Sequence, residues 1–180
     1  MALLQRLHRF LSRPAVDPAT AALYRAAIAQ ARQPAFYSLY GVPDTIDGRF
    51  DLLLLHVFLI MRRLADADAR QRLFDLMFAD MDRSLREMGA GDMSIGKKIK
   101  PMIAAFYGRA QAYETALAAG HQELATALAR NLCGAADAAK GERLASYVEH
   151  AVALLGKQAP EAVARGDVHF AAPAMQADAA

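Results

Sequence analysis

The sequence predicts an all-α protein, a single-domain bundle of about six to seven helices around a central apolar helix at about residues 48–64. Three observations lead to this prediction. Hydrophobic residues make up 55% of the 180 positions, which suffices for one domain with a real core. Alanine-rich runs favour helix over strand. Apolar residues recur at the helical period in the segments on both sides of the predicted central helix.

The charge and cysteine content exclude several classes of protein. The chain has 21 Lys and Arg against 19 Asp and Glu, a net charge of +2, which gives no general argument for binding nucleic acid. A single cysteine, Cys133, excludes an intrachain disulfide and fits a reducing compartment. The apolar run Leu52–Met61 is shorter than the roughly 18 residues that cross a bilayer. A buried core helix explains that run better.

Residues 1–14 form a predicted amphipathic basic helix. Its apolar residues are Leu3, Leu4, Leu7, Phe10 and Leu11, and its cations are Arg6, Arg9 and Arg13. Two interpretations stay open. The segment is an ordinary first helix that docks on the core, or it resembles a transit peptide or a helix that contacts a membrane surface through Leu3–Arg13.

Asp17 and Pro18 predict the start of the next helix, because a carboxylate suits the N-cap and proline suits the first helical position. This helix ends before Pro34. Residues 34–43 then form a loop or short helix whose aromatic side chains plug a gap between helices. Within the central helix that follows, His56 is predicted to be a core histidine rather than a ligand or a base.

A helix over residues 69–88 is predicted next, with Gly89 as its C-cap signal. The following helix carries three lysines in its first turns and ends at Gly120. Within it, Pro101 is expected to force a kink or a fresh start.

Two further helices are predicted at about 121–133 and 138–155, with one more turn opening at Pro160. Residues 15–165 therefore form the predicted helical domain. Residues 166–180 lack helical periodicity and are predicted to be a flexible C-terminal tail.

No catalytic or cofactor motif is present. The sequence has no phosphate-binding glycine loop, no His-Glu-x-x-His, no cysteine pair and no Gly-x-Ser-x-Gly elbow. We therefore expect no enzyme activity, no cofactor and no metal, and interpret the protein as a binding or assembly module. One enzymatic alternative, ranked last, uses His56 as a base near Asp80 or Glu87 and requires His56 to be exposed in a cleft.

The middle of the chain combines dense charge with many methionines. One interpretation is a set of ion pairs that clamp helices together. The functional interpretation is a charged rim around an apolar groove that receives a partner helix, with methionines as an adaptable wall. The charged residues are Asp47, Arg49, Asp51, Arg62, Arg63, Asp80, Asp82, Arg86, Glu87, Asp92, Lys97, Lys98, Lys100 and Arg109, and the methionines are Met61, Met77, Met81, Met88, Met93 and Met102.

Three stretches closely resemble the ubiquinol–cytochrome c chaperone family, which includes the mitochondrial assembly factor for cytochrome b and its bacterial relatives. They are DGRFDLLLLHVFLIMRRL, LFDLMFADMDRSLREMGAGDMSIGKKIKPM and AFYGRAQAYETAL. The resemblance spans about residues 15–155 and is densest from Asp47 to Tyr113. It implies an all-helical fold, no catalysis, and a role in assembling the respiratory cytochrome bc complex by binding cytochrome b.

The resemblance also implies partners and a location. A small assembly partner or the ribosome is implied by the mitochondrial members. The expected location is the bacterial cytoplasm, peripheral to the inner membrane, or the mitochondrial matrix and inner membrane if the chain is eukaryotic. The candidate client-binding residues are Arg49, Arg62, Arg63, Asp80, Asp82, Arg86, Glu87, Asp92, Lys97, Lys98, Lys100, Phe106, Tyr107, Arg109 and Tyr113.

Within this set, we hypothesise that the cations Lys97, Lys98, Lys100 and Arg109 contact an acidic or phosphate-bearing partner. In the same hypothesis Phe106 and Tyr107 line the groove. An alternative from a different class is a peripheral lipid- or quinone-binding protein that uses the same groove.

Overall fold

A computed structural model of the protein describes residues 16–87, 89, 92–135 and 138–173, with the backbone alone over residues 92–98. Within these ranges the chain forms α-helices and one 3₁₀ turn, and no strand, which confirms the predicted all-α bundle. The helices are α1 (Pro18–Ala31), α2 (Ala35–Ser38), α3 (Ile46–Arg63), α4 (Ala67–Glu87), α5 (Asp92–Ala119), α6 (His121–Leu132), α7 (Glu142–Lys157) and α8 (Pro160–Ala164), with the 3₁₀ turn at Ala138–Lys140.

Helix α3 is the centre of the bundle, as predicted. It packs against α1, α4, α5, α6 and α7, and eleven of its 18 residues are buried. Leu52, Leu54 and Leu55 are fully inaccessible. Each such side chain contributes about 1.5–3 kcal/mol of burial free energy, so α3 stabilises its contacts with all five of these helices.

Local sequence signals begin and end the helices where they were predicted. Asp17 caps α1 by accepting a hydrogen bond from the Thr20 N–H at 3.0 Å. Thr45 caps α3 by accepting from the Gly48 N–H at 3.1 Å. Gly89 and Gly120 follow α4 and α5 with φ of 86° and 124°, a conformation that favours glycine.

Pro101 does not start a new helix. Helix α5 runs unbroken through it for 28 residues, although an internal proline removes one backbone donor and costs about 3 kcal/mol. The neighbouring side chains of Ile99, Met102 and Ile103 are partly buried and pack against the core. This packing holds the helix together across the proline.

The segment after α8 is packed where a flexible tail was predicted. Val168 and Ala171 are buried, and the carbonyl of Ala171 accepts a hydrogen bond from Gln30 Nε2 at 2.7 Å. This corrects the predicted tail for residues 168–171, because short apolar side chains can pack without helical periodicity. Residues 174–180 and the predicted N-terminal helix 1–14 lie outside the described residues.

Candidate functional site

A half-open groove lies between α1, α2, α3 and α4 and has a volume of about 880 Å³. Its floor and walls are apolar. Phe50 is buried at its base, Ile28, Leu53 and Met81 are partly buried, and Ile46 at the rim is 64% exposed. An exposed isoleucine next to a concave apolar surface is the arrangement expected where a partner's apolar side chains dock.

One set of polar groups in the lining centres on Tyr24 and Asp80. The Tyr24 hydroxyl donates to Asp80 Oδ2 at 3.0 Å, and Arg83 lies 3.6 Å from the same carboxyl group. Burial and the neighbouring Asp80 charge raise the pKa of Tyr24 well above its usual range, so the phenol stays protonated.

Further polar groups of the lining come from the segment that joins α1 to α3 and from the start of α3. Arg49 Nε lies 2.6 Å from Asp44 Oδ1, and this contact lowers the pKa of the Asp44 carboxyl group. The Tyr37 hydroxyl donates to the Ala31 carbonyl at 2.7 Å, which closes the C-terminal end of α1. Arg32, directly after α1, also belongs to the lining.

Of the predicted client-binding residues, Arg49 and Asp80 line this groove. Three of the others, Arg62, Arg63 and Arg109, join helices, as the ion-pair interpretation stated. Arg62 makes two hydrogen bonds to the Glu114 carboxylate of α5, at 2.6 and 3.1 Å. Arg63 donates to the carbonyls of Leu155 and Gln158 at the end of α7.

Arg109 is also part of the scaffold, and this differs from the proposed contact with an acidic partner. Its guanidinium lies 2.6 Å from Asp51 Oδ1, and the two side chains are 24% and 13% exposed. Burial raises the pKa of Asp51 to about 6, while Arg109 opposes the shift. The charge of Arg109 is therefore already matched inside the bundle, between α3 and α5.

The predicted aromatic contacts lie away from the groove. Phe106 and Tyr113 are 1% and 0% exposed, so they build the core. Tyr107 is 54% exposed and stacks on Phe74 at a centroid distance of 5.3 Å, on the α4–α5 face. Helical periodicity places these aromatics on α5 correctly but cannot say which neighbouring helix covers them.

The remaining predicted residues lie on the surface or outside the described side chains. Asp82 accepts from Arg86 Nε at 2.8 Å in an i,i+4 pair. Glu87 and Lys100 are exposed. The side chains of Asp92, Lys97 and Lys98 lie outside the described part of the chain.

His56 is a core residue, as predicted, and its environment argues against the enzymatic alternative. It is 0% exposed. Its Nδ1 lies 2.7 Å from the Leu52 carbonyl oxygen, and its Nε2 lies 2.8 Å from the Tyr147 hydroxyl. Burial lowers the pKa of His56 to about 4. Both ring nitrogens are used, and no cleft reaches them, so His56 is not placed to act as a base.

Sequence reasoning missed the α1 side of the groove. The pattern around Tyr24, Ile28 and Arg32 is typical of an ordinary amphipathic helix. The spacing of these residues does not distinguish groove residues from core or solvent-facing residues. The aromatic-rich segment at 34–43 was the available signal, because Pro34, Tyr37 and Ser38 belong to the lining. Met81, one of the six methionines proposed as an adaptable wall, does line the groove.

Comparison with known proteins identifies the class of molecule that carries this bundle. Residues 38–170 match the ubiquinol-cytochrome C chaperone family, and the chain belongs to that family. No curated protein sequence gave a significant match.

A solved relative supports the same assignment. The crystal structure of the Cbp3 homolog from Brucella abortus is 35% identical in sequence and superposes with a TM-score of 0.77, covering 94% of this chain and 96% of that one. In the described part of this chain, no helix is both long and apolar enough to cross a membrane.

Proposed function

We propose that this protein is an assembly chaperone that binds newly made or immature cytochrome b and promotes assembly of the ubiquinol–cytochrome c reductase complex. Family membership supports the proposal, because the matched residues 38–170 include the α3 and α4 walls of the groove. The proposal includes a peripheral position at the membrane and no catalytic activity.

The groove suits a membrane-protein client. Helices of an immature membrane protein expose apolar surface that has no partner before assembly, and a half-open apolar groove can cover part of it. Met81 and Ile46 offer flexible and exposed apolar contact at the wall and rim. The rim residues Arg49 and Asp80 add charge, which favours specificity over affinity.

Capture of the client from detergent-solubilised membranes tests this proposal. Tagged full-length protein should enrich cytochrome b, and Ile46→Lys should reduce the enrichment at least several-fold, because it places a charge at the apolar rim. Val16→Lys is the matched control, since Val16 is 51% exposed and lies outside the groove lining. If cytochrome b and other subunits of the complex are absent from the captured material, the proposal is wrong.

A second variant tests the predicted lysine surface. Replacement of Lys97, Lys98 and Lys100 by Glu should abolish client capture with an unchanged Tm if these lysines contact the client. A variant that unfolds instead assigns the lysines to the fold. Capture equal to that of the parent chain removes them from the client-binding surface.

The lipid- or quinone-binding alternative uses the same groove. Liposome flotation with and without residues 1–14 separates the two functions. Flotation that requires this segment, together with no capture of cytochrome b, would support the alternative.

A further inference from the structure

Residues 168–171, the strap, lie on the bundle after α8 and form neither helix nor strand. Val168 and Ala171 are buried, and Phe170 is partly buried against the core. The side chain of His169 is 77% exposed. From Val168 to Phe170 the side chains therefore alternate between core and solvent, which is typical of a peptide bound in an extended form.

Two glutamine side chains of the bundle hold the main chain of the strap. Gln158, directly after α7, accepts at Oε1 from the His169 N–H at 2.9 Å and donates from Nε2 to the His169 carbonyl at 2.7 Å. Gln30 of α1 donates to the Ala171 carbonyl at 2.7 Å. Because every residue except proline carries the same main-chain groups, these contacts can hold another peptide sequence as well.

The surface under the strap supplies the contacts that depend on sequence. The Phe170 ring meets the buried His56 ring edge-on at a centroid distance of 5.1 Å, and the Phe36 ring lies 5.3 Å from His56 in the same cluster. Ala171, which follows Phe170, is 4% exposed, so a larger side chain there has little room. The surface therefore suits a segment in which an aromatic residue precedes a small one.

The strap is held less firmly than the residues it follows. Gly166 packs on α1, where an added Cβ would lie 2.7 Å from the Ala22 side chain, and the Asp167 N–H donates to the Ala162 carbonyl at 3.0 Å. Among the residues that the structure describes, no main-chain group of the strap bonds to another main-chain group. Segments with few such bonds and little buried apolar surface open locally while the domain stays folded.

We infer that the surface under the strap is a binding site for an extended segment of a partner protein, and that the strap is its displaceable internal occupant. The chemistry favours a peptide over a lipid, because an acyl chain would leave the amide groups of Gln158 and Gln30 without partners. Neither glutamine lines the groove between α1, α2, α3 and α4. The inference therefore goes beyond the proposed function and does not depend on capture of cytochrome b.

A labelled peptide that copies residues 167–173, with capped ends, tests the inference by fluorescence polarisation with the full-length protein. In the parent chain the strap competes at an effective concentration on the order of mM, so the peptide should bind weakly. Phe170→Ala weakens this internal competitor and leaves the surface under it intact. The peptide should therefore bind the Phe170→Ala chain about tenfold more tightly than it binds the parent chain.

Matched variants separate the strap from the surface under it. His169→Ala should leave peptide affinity at the parent value, because the His169 side chain points to solvent. Combined with Phe170→Ala, Gln158→Ala should weaken peptide binding about tenfold, since the main chain of the peptide loses two hydrogen bonds. Gln122→Ala in the same background should not, because Gln122 is exposed on α6.

Four outcomes overturn the inference, and capture of cytochrome b can stand in each case. Two of them are no binding of the peptide to either chain and equal binding to both. The third is unfolding of the Phe170→Ala chain, which would make the strap part of the cooperative fold. The fourth is dimerisation of the parent chain that added peptide reverses, which would assign the surface to the strap of a second copy.

Discussion

The Tyr147 hydroxyl lies 2.8 Å from Nε2 of His56 and joins α7 to the central helix inside the core. The proton positions follow from the partners. Nδ1 faces a carbonyl oxygen, which only accepts, so Nδ1 carries the proton and Nε2 accepts from Tyr147. The same hydroxyl accepts from Gln30 Nε2 at 2.9 Å. Both ring nitrogens of His56, the Tyr147 hydroxyl and the Gln30 amide nitrogen therefore have partners.

Tyr147→Phe should destabilise the protein by about 1–3 kcal/mol, because it leaves His56 Nε2 and one hydrogen of the Gln30 amide buried without partners. Urea denaturation at pH 7 measures the change. Tyr107→Phe is the control, since Tyr107 is exposed, and it should stay within about 0.5 kcal/mol of the parent. Equal effects of the two substitutions would contradict the role assigned to the network.

His56 should make the protein sensitive to acid. Its folded-state pKa of about 4 lies below its unfolded value of about 6.5, so the unfolded chain binds more protons between these values. Stability should fall by about 3 kcal/mol as the pH drops through that window. Denaturation midpoints from pH 7 to pH 4.5 measure the slope. His56→Gln should flatten it, and His150→Gln, at an exposed position, should not.

His121 should have the opposite pH dependence. Its ring nitrogens lie 2.9 Å from Glu149 and 2.8 Å from Glu142, and these hydrogen bonds raise the pKa of His121. A raised histidine pKa stabilises the fold fully below the unfolded value of about 6.5, and this stabilisation is lost as the pH rises through the folded pKa. His121→Gln should therefore lower the Tm more at pH 6 than at pH 9. A larger loss at pH 9 would show that the histidine is not protonated in the fold.

Arg109→Met should cost about 2–3 kcal/mol at pH 7, because it leaves the largely buried Asp51 carboxylate without its partner. The cost should shrink as the pH falls below the pKa of Asp51 and the carboxyl group becomes neutral. Thermal denaturation at pH 7 and pH 5 measures both effects. Arg62→Met breaks a more exposed pair and should cost about 1 kcal/mol or less. A pH-independent cost for Arg109→Met would contradict this account.

Gly141→Ala should destabilise the contact between α6 and α7 by about 2–3 kcal/mol. A Cβ at this position would lie 1.9 Å from the Ala125 carbonyl oxygen and 2.7 Å from its carbon, and backbone atoms cannot move aside. Gly156→Ala, in α7, is the matched control, because its added Cβ would have no neighbour within 4 Å. The free energy of unfolding of the Gly156→Ala variant should rise by about 0.5–1 kcal/mol. Similar Tm changes for both variants would rule out the steric explanation.

The sequence predicts the helices better than it predicts the site. Hydrophobic periodicity and capping residues predict α1 and α3, and glycines predict the C-terminal ends of α4 at Gly89 and of α5 at Gly120, because these signals are local. Residues such as Phe106 and Arg109 show the limit. A helical wheel gives the face on which a side chain lies, but only the packing of other helices decides whether that face meets core, solvent or an opposite charge. The groove is lined by residues of α1, α2, α3 and α4, from Tyr24 to Ser84, so no single segment of the sequence predicts it.

The hydrogen bond from Gln30 to the Ala171 carbonyl has a consequence for the order of events during synthesis. Protein chains emerge from the N-terminus, so the Gln30 amide has no Ala171 acceptor until 141 further residues have been translated. Gly166 adds to this, because it packs so closely on α1 that a Cβ there would lie 2.8 Å from the Ala19 carbonyl oxygen. Helix α1, one wall of the groove, thus gains both contacts only after residues 166–171 have been made. A nascent chain that ends before these residues lacks both of them.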